Sequence, residues 1–309
     1  MEKEEVKVNE KKKSKKGYVI FLTILLVAVL VFGGLLVKRI IDDKKVEELD
    51  SKTYEKEVKI DASLATQPLT DAYIKGLDNF NIKADYSNTD PAYTKLINKK
   101  VDLIVVTEPS KEEMQRAKDA GVELNVTPVV NEGFVFYTNK KNSVNNLTLD
   151  QIRKIYTGEI TNWKEVGGKD AKIIAYQRPV NSGSQTGILS LVMNGLKMKD
   201  PTKEEFIESM AGIIDVVSNY ENGEDAIGYS YYYYATTMYG NDNMKFFKVN
   251  GVAPNHDTIQ NESYPIITSY YIVTLKGNND DTTNKLKKAL LSKRGQKIAK
   301  EAGYIELNK

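Results

Sequence analysis

The chain has no cysteine among its 309 residues. That excludes disulfides, thiolate metal sites and a cysteine nucleophile, and it excludes anchoring through an acylated cysteine. Histidine occurs once, at His256, so a two-histidine metal motif cannot be assembled. Charge of one sign is not in excess. The 44 lysines and arginines stand against 42 aspartates and glutamates, and the resulting formal charge of +2 offers no broad basic surface to nucleic acid. What remains is a chain long enough for two domains of ordinary size and a short additional segment.

The short segment is N-terminal. Residues 17–37, GYVIFLTILLVAVLVFGGLLV, carry no charge, and a run of about 20 apolar residues spans the hydrocarbon core of a bilayer as a helix. The run ends directly in Lys38 and Arg39 rather than in a small-residue cleavage site, which favours a retained single-pass transmembrane anchor over a cleaved leader. Lys11, Lys12, Lys13, Lys15 and Lys16 precede it, whereas Asp42 and Asp43 offset the cations that follow. The positive-inside rule then makes residues 1–16 a cytoplasmic basic tail and places the rest outside the cell membrane. Residues 38–57 are charged without apolar periodicity and read as a linker.

From Val58 onward, short β-branched runs alternate with helical patterns: VKIDAS, a helix from Pro68, NIKADY, a helix from Pro91, VDLIVV and a helix from Lys111. This alternation predicts βαβ units around a parallel sheet. A second series follows, with TLDQIRKIYTG as helix, KIIAY as strand and GILSLVMNGL as helix. Near the end come a long strand pattern, YPIITSYYIVTLKG, and a helical NKLKKALLSKRGQKIAKEAG. The expected fold class is α/β with two lobes. Lobe 1 comprises residues 58–131 plus 265–309 and lobe 2 residues 132–264, with GFVFYTN and YPIITSYY crossing between them as a hinge.

Three strand-to-helix junctions carry candidate binding chemistry. In IDASLATQPL, free backbone N–H groups together with the hydroxyls of Ser63 and Thr66 can hold an anion at the positive end of a helix. Taken alone, Ser and Thr before a helix are usually its caps. In YSNTDPAY, Thr89 or Asp90 can cap a helix that begins with Pro91. In QRPVNSGSQTG, Arg178 ends a strand, Ser182, Gly183 and Ser184 form a tight turn, and a helix runs on from Gln185. A guanidinium beside N–H and O–H donors suits a tetrahedral oxyanion. The alternative for Arg178 is a salt bridge that ties the second lobe together. The tyrosines at 229 and 231–234 read as a half-buried face, His256 as a turn residue and Trp163 as core.

These segments resemble those of the bacterial phosphate-binding proteins that serve ABC importers, within the periplasmic binding-protein superfamily. The resemblance runs through DASLATQPL, VDLIVVTEPS, LTLDQIRKIYTGEITNWKEVGG, QRPVNSGSQT, AIGYSYY, GVAPNHDTI, SYPIITSYYIV and LLSKRGQKIAKEAGY in order. It implies a two-lobe, type II-like fold that closes on inorganic phosphate and delivers it to an ABC permease, with no cofactor and no metal. Carried over by position, Ser63, Thr66 and Thr89 bind from the first lobe, and Arg178, Ser182, Gly183 and Ser184 from the second. The family often has an aspartate where this chain has Thr107. A carboxylate there accepts the proton that phosphate carries and sulfate lacks, and Glu108 is the adjacent residue able to supply one. Ala62 stands where the family usually has glycine.

Catalysis needs a nucleophile beside a base, or a metal, and the sequence offers neither. Binding for transport is therefore the leading expectation, and an anchored anion sensor or sequestering surface protein with the same fold is the alternative. A phosphate-ester hydrolase ranks third, because an arginine and serine cradle can also serve hydrolysis.

Overall fold

A computed structural model describes Leu26, Val27, Val31 and residues 49–219 and 223–307. The chain divides into two units, Met1–Lys52 and Thr53–Lys309, and the second carries the fold. The anchor expected over residues 17–37 lies outside the described residues, save for Leu26, Val27 and Val31, which are helical and exposed. Among the described residues no helix is long and apolar enough to cross a membrane.

Strand β1 (Tyr54–Ser63) runs through a short turn into helix α1 (Gln67–Gly76), followed by β2 (Phe80–Ser87), α2 (Thr89–Ile97), β3 (Leu103–Val106) and α3 (Lys111–Asp119). A 16-residue strand, β4 (Leu124–Asn139), comes next. Then follow β5 (Asn146–Leu147), α4 (Leu149–Thr157), β6 (Ile174–Ala175), α5 (Gly183–Gly187), α6 (Met210–Asn219), β7 (Ala226–Tyr231), β8 (Met244–Phe246), β9 (Lys248–Val249) and α7 (His256–Gln260). Strand β10 (Ile267–Leu275) and helices α8 (Asp281–Leu291) and α9 (Lys293–Glu301) close the chain.

The main sheet has the order β2-β1-β3-β10-β4-β7-β6, with β8 also on β4. Strands β1, β2 and β3 are mutually parallel, but β10 runs antiparallel to both β3 and β4. The sheet is thus mixed rather than purely parallel, because the chain re-enters its first half at the C-terminus. Strand β4 is shared: its first part, to Gly133, pairs with β10, and Phe134–Tyr137 pair with β7. At the changeover sits Glu132, fully buried and accepting from the backbone N–H of Gly133 at 2.8 Å and of Tyr233 at 3.3 Å. Burial pushes its pKa up to about 8.

Local sequence explains most element ends. Ser110 and Glu113 form a reciprocal cap on α3, and Thr148 and Gln151 do the same on α4, which Gly158 ends in the left-handed region at φ 85°. Helix α2 buries Ala92, Tyr93, Leu96 and Ile97 against Ile104, Val106 and Val273, so the first half's core lies directly beneath the ends of β1 and β3. That packing fixes where the loops after those strands emerge.

Several expectations need correction. Strand β1 begins at Tyr54, four residues inside the segment read as linker, because the Tyr54 ring stacks on Phe80 with centroids 4.4 Å apart. The cap position of α2 is Asn88, not Thr89 or Asp90. The C-terminal helical pattern is two helices: Ser292 is extended and caps α9 by accepting from Gly295 N. The helix expected from Gln185 begins at Gly183, and past Gly187 it widens to π geometry over Ile188–Met193. Trp163 is buried, stacks on Phe247 and donates from its indole nitrogen to Asp225 O at 2.9 Å, as a core residue should.

Candidate functional site

The ends of β1 and β3 and the start of α2 come from the first half of the sheet, and the turn before α5 comes from the second. They enclose a cavity of about 450 Å³. Ser63, Leu64, Ala65, Asn88, Thr89 and Thr107 line it from one side, and Arg178, Asn181, Ser182, Gly183 and Ser184 from the other. The halves touch here: a Cβ built on Gly183 would lie 2.6 Å from Thr107 Oγ1 and 2.8 Å from Thr89 Oγ1. Only a residue without a side chain permits this approach.

The floor of the cavity is built to present donors. Asn88 holds extended backbone at the start of α2 without a side-chain cap bond, so the first-turn N–H groups there have no capping partner. Ser182 occupies the corresponding position before α5, its Oγ accepting from Gln185 N at 3.3 Å. Helix starts carry a partial positive charge, which favours an anion.

Arg178 supplies the full charge. Its backbone N–H lies 3.0 Å from Gln185 Oε1 and 3.1 Å from Tyr229 Oη, and Tyr229 in turn donates to Gln185, so the main chain of the loop is fastened to β7. The guanidinium is different. Nε and Nη1 are buried without a hydrogen-bond partner, and burial pulls the group's pKa below its ordinary value. No ion pair engages Arg178 among the described residues, which removes the salt-bridge alternative. Three further buried polar atoms in the same cavity lack partners: Thr107 Oγ1, Ser184 Oγ and Asn181 Oδ1. Buried polar groups are normally satisfied, so five such atoms converging on one hollow make it suited to a polar ligand.

Most expected site residues meet here, but two do not. Thr66 is fully buried and does not line the cavity. Its hydroxyl lies 2.6 Å from Val105 O and 3.0 Å from Ser63 O, so its proton is used to join the end of β1 to β3. Glu108 also stays out of the cavity: its carboxylate accepts from the hydroxyl of Ser190, on the far side of the cleft, and burial raises its pKa. The sequence reading missed Asn88, Asn181, Tyr231 and Tyr234, all of which line the cavity. Asn181 was within reach of that reading, since it stands between Arg178 and Ser182. The tyrosines were not, because Tyr231 reaches the site through the register of β7, donating to Gly183 O at 2.9 Å.

Two α/β halves that share a long strand and close on a cavity of helix starts define a two-lobe binding fold. A family model described as a PBP superfamily domain matches residues 57–292, and the chain belongs to that superfamily. Among curated proteins it is 28% identical over 262 residues to the phosphate-binding protein PstS of Borreliella burgdorferi, covering 81% of this chain and 90% of that one. It is likewise 28% identical over 264 residues to PstS of Staphylococcus aureus, covering 81% and 78%. Among solved structures, a Clostridium perfringens substrate-binding protein with bound phosphate superposes with a TM-score of 0.66 at 26% identity, over 82% of this chain and all of that one. The PstS crystal structure from Borrelia burgdorferi gives 0.55 at 26% identity, again over 82% of this chain.

Proposed function

We propose that this chain is an extracytoplasmic solute-binding protein that captures inorganic phosphate, or a closely similar oxyanion, between its lobes for delivery to an ABC permease. The observation that carries the reading is the buried Arg178 guanidinium with no counter-charge, set among unpartnered hydroxyls. An isolated buried charge is costly unless a partner satisfies it. A tetrahedral anion satisfies it and takes the hydroxyl and helix-start donors as well. The phosphate seen in the Clostridium perfringens relative and the names of the curated relatives support the choice of ligand. The protein's part is capture and release without turnover.

The lobes of this reading are residues 58–131 plus 265–309 and residues 132–264, with β4 and the segment leading into β10 as the hinge. The apolar run at 17–37 acts as a single-pass anchor with the binding lobes outside. Sequencing the N-terminus of protein purified from membranes tests that part, and a mature chain beginning after residue 37 would overturn it. Titration calorimetry of the full chain in detergent with inorganic phosphate tests the binding itself. Saturable one-to-one uptake is expected, and absence of heat at millimolar phosphate would sink the proposal.

A further inference from the structure

Neither of the carboxylates that border the cavity is both buried and uncommitted. Asp90 borders the cavity but is held by Arg116, whose Nη1 also reaches Thr94 Oγ1 at 3.2 Å. Glu208 borders it as an exposed residue. Glu108 does not border it and is bonded to Ser190. The cleft nevertheless holds an unused acceptor. Asn181 Oδ1 is buried without a partner in the loop that also carries Arg178 and Ser182. An amide oxygen can only accept, whereas Arg178 Nε and Nη1, Ser184 Oγ and Thr107 Oγ1 can all donate.

We infer that Asn181 is the specificity-determining residue of this cleft, its neutral amide oxygen receiving the hydrogen of a protonated tetrahedral oxyanion. The inference rests on the oxyanion-binding reading and says which anions the site tells apart. A proton-bearing anion such as hydrogen phosphate or hydrogen arsenate donates to Asn181 while its bare oxygens take the donors. Sulfate has no proton to give at neutral pH, so one of its oxygens must face the amide oxygen. With a carboxylate as acceptor that meeting would set two full negative charges together in a site shielded from water. With an amide it sets a charge against a partial dipole and leaves one acceptor unpaired. The cleft therefore discriminates against sulfate by a lost hydrogen bond, roughly tenfold to a hundredfold, and lacks the far larger factor that charge repulsion gives.

The test is calorimetry on the full chain in detergent at one pH, with inorganic phosphate, arsenate and sulfate titrated into the wild type, Asn181→Asp and Asn181→Ala. The wild type should bind phosphate and arsenate alike and sulfate about tenfold to a hundredfold more weakly. Asn181→Asp should keep phosphate within about threefold and weaken sulfate by at least a further tenfold. Asn181→Ala should bring phosphate and sulfate closer together. Equal weakening of all three anions in Asn181→Asp would mean that the amide presents its NH₂ group, and would overturn the inference. So would unchanged anion ratios in both variants, with phosphate binding, and hence the oxyanion reading, left standing. If no anion binds the wild type, the oxyanion reading falls and this inference with it.

Discussion

The first wall of the cleft offers Ser63, Thr89 and Thr107 at a strand end, a helix start and a loop, all neutral. The second offers Arg178, Asn181 and Ser184 within one loop and a helix start, and four of the five unpartnered buried atoms belong to it. Both walls use a strand that ends where a helix begins. The difference lies in how the hydroxyls are spent. In the first wall Thr66 gives its hydroxyl to Val105 and so fixes the loop, while in the second the fixing is done by backbone bonds from Arg178 to Gln185 and Tyr229. The second wall can therefore leave a whole guanidinium uncommitted. One wall shapes the site and the other charges it.

Removing the charge should have the largest effect. Arg178→Ala is expected to weaken phosphate binding by about 2–5 kcal/mol, roughly thirty-fold to several thousand-fold. The thermal midpoint of the ligand-free protein should hold or rise, because the lost group is an unpaired buried cation. Calorimetry and thermal unfolding of one variant check both, and a lowered midpoint with unchanged affinity would reverse the roles of the two walls.

Glu132, on the strand that joins the walls, titrates next. Its folded pKa of about 8 lies above the ordinary carboxylate value of 4.5, so the stability it allows is fully present below that ordinary value and is lost as pH rises toward 8. Glu132→Gln imitates the protonated form. Its advantage in ligand-free stability over the wild type should grow between pH 5 and 8 and level off above, as read by denaturant midpoints at pH 5, 7 and 9.

Contact between the walls is probed by Gly183→Ala. The new methyl meets Thr107 and Thr89 hydroxyls closer than 3 Å, so full closure is blocked and phosphate affinity should fall at least tenfold, about 1.4 kcal/mol. The smallest effect is on the shaping side. Thr66→Val should cost about 1 kcal/mol of stability for the hydrogen bond to Val105 and change phosphate affinity by less than about threefold, whereas Ser63→Ala should lower phosphate affinity further while also losing the 3.0 Å hydrogen bond to Thr66 Oγ1.

Resemblance of the ordered segments carried most of the site, and the structure gathers Ser63, Thr89, Thr107, Arg178, Ser182, Gly183 and Ser184 in one cavity. Thr66 and Glu108 fell outside it because a motif position says which loop a residue is on, not which neighbour takes its polar atom first. Val105 and Ser190 took them, from 39 and 82 residues away along the chain. Periodicity located α3 and α4, whose ends are set by capping, a local contest between neighbouring groups. It misjudged the start of β1, which depends on a ring from another strand.

The sequence by itself determined that strands alternate with helices, that helix starts bear hydroxyls, and that a single arginine stands before the SGS turn; each is settled within a few residues by dihedral preference, capping and pattern. The pairing of β10 with both β3 and β4, the sharing of β4 between the halves and the approach of Gly183 to Thr107 were decided only in three dimensions. So was the isolation of Arg178. Whether a buried charge keeps its hydrogen-bonding capacity for a guest depends on every group that packs around it, and those groups come from strands and loops far apart in the chain.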